Sequence, residues 1–88
     1  MISVYFGNSS EIEKIGEVEN EGEELDTLVN NFLATKGFKS YYYREWKIDT
    51  KKGNVTHRDF GSWSRFIYYG EESACRKYFI EQGFRWKS

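Results

Sequence analysis

Leu25, Leu28, Val29, Phe32 and Leu33 recur at the spacing i, i+3, i+4, i+7, i+8. That is one stripe of an α-helix, and it commits the chain to a helix whose apolar face must be covered. Local chemistry agrees. Asn20-Glu21-Gly22-Glu23 has the form of a capping box, in which Asn20 accepts from a backbone N–H and Glu23 reaches back. Acids in the first turn suit the helix dipole, and Gly37 can take the left-handed position past the end. The spacing predicts a helix over 22–36.

The flanking segments read as strands. Residues 2–6 and 12–18, separated by Gly7-Asn8-Ser9-Ser10, form a plausible hairpin. Beyond the helix, residues 38–49 are β-prone, Lys51-Lys52-Gly53-Asn54 reads as a turn, and 55–60 and 63–69 read as two further strands. Residues 71–82 read as a second helix with Gly83 past its end and Ala74, Cys75, Tyr78 and Phe79 toward the sheet. In the tail, Phe84 and Trp86 lie two apart, the spacing of one more short strand or of a sticky interface. The expected order is β-β-α-β-β-β-α. This is a single α+β domain, 1–88, with a three-stranded antiparallel core sheet extended by an N-terminal hairpin and packed with two amphipathic helices.

A domain of this size buries only about 60% of its unfolded surface, so its core needs large side chains. The 7 Phe, 7 Tyr and 3 Trp provide them. A single cysteine, Cys75, excludes an internal disulfide. No segment approaches the ~20 apolar residues of a membrane span, and the first residues lack the charged flank of a signal peptide. A cytoplasmic protein without membrane association is expected.

Net charge is −1, but it is unevenly placed. Up to Asp26, eight carboxylates stand against Lys14 alone; from Thr27 onward, twelve cations stand against six carboxylates. Such asymmetry points to a charged partner, or to two halves that face each other once folded.

Catalytic chemistry has little to work with. His57, the only histidine, lies two residues from Asp59, so on a strand the two share a face. Strand polar faces look like this far more often than active sites do. One His and one Cys cannot make a structural zinc site. Cys75 on a helix face reads as a small buried apolar side chain. The glycines do not form a phosphate loop, and Asp59-Phe60-Gly61 reads as a turn. The chain is expected not to be an enzyme and to carry no metal or cofactor.

What remains is surface. Tyr41, Tyr43, Lys47, Lys51, Lys52 and Arg58 would cluster around the first hairpin of the core sheet. Rings interleaved with cations suit single-stranded nucleic acid; they equally suit ordinary cross-strand pairs, and Glu45 and Asp49 dilute the charge. The acids Glu11, Glu13, Glu17, Glu19 and Glu21 offer a docking surface for a basic protein, where charge speeds encounter and selects partners.

The α-β-β-β-α order from residue 22 onward resembles that of double-stranded-RNA-binding domains and of the three-stranded DNA-binding domains of some integrases. The lysines that the RNA-binding family places at the start of its second helix are here Glu71-Glu72, with Arg76-Lys77 a turn later. A second resemblance rests on Val4-Tyr5-Phe6-Gly7, Ile15-Gly16-Glu17, residues 38–44 (Phe-Lys-Ser-Tyr-Tyr-Tyr-Arg) and residues 59–64 (Asp-Phe-Gly-Ser-Trp-Ser). In these the chain resembles small proteins encoded by phages and mobile elements of Gram-positive bacteria. That resemblance implies a protein that works by binding a host or mobile-element protein; the aromatic and basic hairpin 41–58 makes nucleic acid the alternative ligand.

Overall fold

The computed structural model of the chain describes residues 1–8, 10–37, 48–59 and 65–87. Its elements are β1 (Ile2–Gly7), β2 (Glu11–Val18), α1 (Glu23–Thr35), β3 (Ile48–Lys52), β4 (Val55–Asp59), β5 (Phe66–Gly70), α2 (Glu72–Gln82) and β6 (Arg85–Trp86). The α+β class and the order of elements match the sequence reading. Residues 38–47, expected to begin the third strand, and residues 60–64 lie outside the described residues. No helix among the described residues is long and apolar enough to cross a membrane.

All six strands join one sheet in the order β3-β4-β5-β1-β2-β6. The N-terminal hairpin extends the three-stranded sheet as expected, β1 lying between β5 and β2 and antiparallel to both. Ser3, Val4, Tyr5 and Phe6 are consequently all buried, as befits a strand covered on both faces. Against expectation, the sheet is mixed rather than antiparallel, because the tail forms β6 parallel to β2. The backbone N–H groups of Arg85 and Lys87 donate to Ser10 and Ile12 carbonyls at 2.8 and 2.9 Å, satisfying part of an edge that would otherwise stand open.

This strand order places the helices. β2 and β5 point the same way, each being antiparallel to β1. From β2 the chain crosses through α1 to β3 at one edge; from β5 it crosses through α2 to β6 at the other. Two crossovers of the same hand that travel in opposite directions must lie on opposite faces. They do. Leu25, Val29 and Leu33 of α1 pack on Val4, Phe6, Val18, Ile67 and Tyr69. Cys75 and Phe79 of α2 pack on Tyr5, Ile12, Val55 and Tyr68. Alternation along β1 and β5 assigns the two sets to the two faces.

A β-bulge reconciles β2 with both cores. Ile12 belongs to the α2 core and Val18 to the α1 core, although six residues apart on a regular strand they would share a face. The register shifts between Val4, paired with Gly16, and Tyr5, paired with Lys14, leaving Ile15 as the extra residue.

Element ends follow local chemistry, with two corrections. The expected capping box does not form: Gly22 is the N-cap of α1 at φ 91°, without a side-chain cap. This glycine conformation moves the helix start past Asn20, and Glu24 rather than Glu23 reaches back, accepting the Glu19 N–H at 2.8 Å. Lys51 and Lys52 belong to β3, and the turn is Gly53-Asn54 alone, with Lys52 opposite Val55. Gly53 at φ 67° suits a two-residue hairpin link. α2 closes as read, with Gly83 left-handed at φ 78°. The N–H groups of Gly83 and Phe84 return to the Ile80 and Phe79 carbonyls, the Schellman arrangement.

Candidate functional site

The outer side of α2 and the adjoining β6 carry large apolar side chains in solvent. Ile80 is 75% exposed and Trp86 43% exposed. Cys75 and Phe79 face the sheet, so Ile80 sits off the buried stripe and points outward. Trp86 rests one flank against Tyr5 and Phe79, ring centroids 6.0 Å apart in each pair. The Arg76 guanidinium lies 5.1 Å from the Trp86 ring centroid, and Arg76 and Ile80, four residues apart, are neighbours on the helix surface. Arg76 thus neighbours both exposed apolar side chains. Arg85, also exposed, precedes Trp86 in β6 and by alternation lies on the opposite, α1 face, in register with Glu11. The sequence signal of this surface is Ile80, an apolar residue off the inward stripe; Trp86 was marked by the spacing of the tail.

The acids expected to form one docking surface are divided. Glu11 and Glu13 precede the bulge and lie on the α1 face, Glu13 opposite Phe6. Glu17 follows it and lies opposite Ser3 on the α2 face. Cations meet them: Lys87 stands 3.6 Å from Glu13, Arg85 is in register with Glu11, and Lys14 bridges Glu17 and Glu72 at 3.2 Å each. Glu19 and Glu21 are exposed on the connection to α1.

The expected nucleic-acid surface is divided as well. Tyr41, Tyr43 and Lys47 lie outside the described residues. Arg58 is 5% exposed; its Nη1 donates to Asp26 Oδ1 at 2.8 Å, and its guanidinium lies 5.3 Å from the Tyr69 ring centroid. It joins β4 to the first turn of α1. Lys51 and Lys52 are exposed, but they alternate, and Lys52, opposite Val55, is the one on the α2 face. There a recess of about 230 Å³ lies between the β3–β4 turn and α2, bordered by Lys52, Asn54, Lys77 and Tyr78.

His57 and Asp59 share the α2 face of β4, as their spacing implied. The imidazole stacks on Tyr68, centroids 5.0 Å apart and planes 15° apart, and lies 4.6 Å from the Phe66 centroid. Its Nε2 is buried without a hydrogen-bond partner among the described residues. Burial, then the Lys52 charge, lowers its pKa, with Asp59 acting in the opposite sense. Burial also pushes the Cys75 thiol up to about 11, far from the thiolate character of a nucleophile.

Comparison of the chain with protein-family models, with curated proteins and with solved structures returned no match.

Proposed function

We propose that the chain is a non-enzymatic module that works by binding another protein through Arg76, Ile80 and Trp86. The single observation that carries this reading is the exposure of Ile80 and Trp86 beside a guanidinium. Trp and Arg are enriched in the energetically dominant centres of protein interfaces. A tryptophan half anchored on a core loses little freedom on binding. The Arg76 guanidinium selects a partner whose contact surface is apolar at its centre and acidic at its rim. In the setting that the resemblance to mobile-element proteins implies, that partner is a host protein.

The test is capture on the immobilised chain from nuclease-treated lysate, followed by charge reversal. Ile80→Asp and Trp86→Ala should each abolish capture of the specific partner, while Lys36→Glu, on the other helix, retains it. Arg76→Glu should weaken capture at least tenfold, and an acid-to-lysine change at the partner's rim should restore it. Equal capture by Ile80→Asp and the parent chain would end the proposal.

A further inference from the structure

The described cations differ in how far the fold occupies them. Lys14, Arg58 and Lys87 are ion-paired. Lys36 and Arg76 lie over aromatic rings. Lys52 and Lys77 make no ion pair among the described residues, yet they line the same recess from opposite sides, one from the β3–β4 hairpin and one from α2. Two like charges facing one concavity repel each other, and an anion between them relieves that repulsion.

The rest of the recess selects among anions. Asn54 offers amide donors and Tyr78 a phenol. Ala74 and the Tyr78 ring, both partly exposed, give it a small apolar side. At about 230 Å³ it is smaller than the usual ligand pocket of roughly 300–1,000 Å³. Glu81 also borders it, which weighs against extended polyanions and limits affinity.

We infer that this recess binds a small organic phosphate monoester, its phosphate held between Lys52 and Lys77 and its organic part against Ala74 and the Tyr78 ring. The site adjoins the protein-binding surface on α2 but shares none of Arg76, Ile80 and Trp86, and the inference does not rest on that reading. Lys52 and Lys77 are exposed, so both can be changed without touching the core.

The experiment is an amide-resonance titration of the whole chain at low ionic strength with inorganic phosphate, adenosine monophosphate and a single-stranded oligonucleotide. Shift changes should centre on residues 52–55 and 74–81, with the nucleotide binding at least threefold tighter than phosphate. Lys52→Gln with Lys77→Gln should weaken it about tenfold, and Glu81→Gln should strengthen it two- to threefold. Lys36→Gln should leave it unchanged. Changes spread evenly over all surface lysines, or unaltered binding in the double variant, would overturn the site. A nucleotide no tighter than phosphate would overturn the ester. An oligonucleotide tighter than the nucleotide through the same residues would replace the ester with a nucleic-acid strand.

Discussion

The two faces of the sheet are built differently. On the α1 face the core is mostly aliphatic: Val4, Val18, Leu25, Val29, Leu33 and Ile67 outnumber Phe6 and Tyr69. Its polar neighbour Arg58 is paired with Asp26. On the α2 face Tyr5, Tyr68 and Phe79 form the centre, joined by Phe66, Tyr78 and Phe84 at its margin. Phe79 meets Tyr5, Tyr68 and Phe84 edge-on at centroid distances of 4.9, 5.4 and 5.3 Å. Each side keeps buried polar atoms without a full hydrogen bond among the described residues: Asn30 Oδ1 on α1, and the Tyr5 hydroxyl and His57 Nε2 on the α2 face. Here too lie the exposed Ile80 and Trp86 and the lysine-lined recess. Aliphatic packing is what a face needs for stability alone; the aromatic rings, the exposed apolar side chains and the recess gather on the α2 face, and so do both proposed sites.

The largest expected effect concerns the ring cluster. Phe79→Ala should cost about 3–5 kcal/mol in urea unfolding and shift the Trp86 indole resonance, because Phe79 supports that ring. Leu33→Ala should cost about 2–5 kcal/mol and leave the Trp86 resonance in place. If both variants moved Trp86, the two faces would be one cooperative core.

Next comes the treatment of polar groups. Asp26→Ala removes a hydrogen bond to the buried Arg58 and should cost about 1.5–3 kcal/mol, toward the lower end because the Asp26 side chain is 30% exposed. Tyr5→Phe removes a buried hydroxyl with no more than a weak contact to Ser3, and should fall within about 1 kcal/mol of the parent chain. A large loss from Tyr5→Phe would show the contact with Ser3 to be a full hydrogen bond.

The smallest effect is that of pH. With the His57 pKa lowered in the folded state, the unfolded chain takes up a proton first as pH falls through about 6.5. Folding stability should therefore decline as pH drops through that value and on toward the lower folded-state value. Denaturant midpoints between pH 8 and 5 should show this slope, and His57→Phe should flatten it. An identical slope in the variant would assign the effect elsewhere.

By itself the sequence determined what depends on near neighbours. The stripe from Leu25 to Leu33, the left-handed Gly37 and Gly83, the inward Cys75 and Phe79 and the N-terminal hairpin were all legible, because periodicity and glycine conformation act over a few residues. Even there Gly22 displaced the expected cap, since competing caps two residues apart differ by little free energy. Only the tertiary structure decided which strand β1 joins besides β2, that the tail runs parallel to β2, and that Glu13 and Glu17 lie on opposite faces. It also decided that Arg58 belongs to the fold while Lys52 and Lys77, distant in sequence, face one recess. The reason is physical. Strand pairing and bulges are set by which arrangement buries both faces of the sheet at once, and that sum runs over residues far apart in the chain.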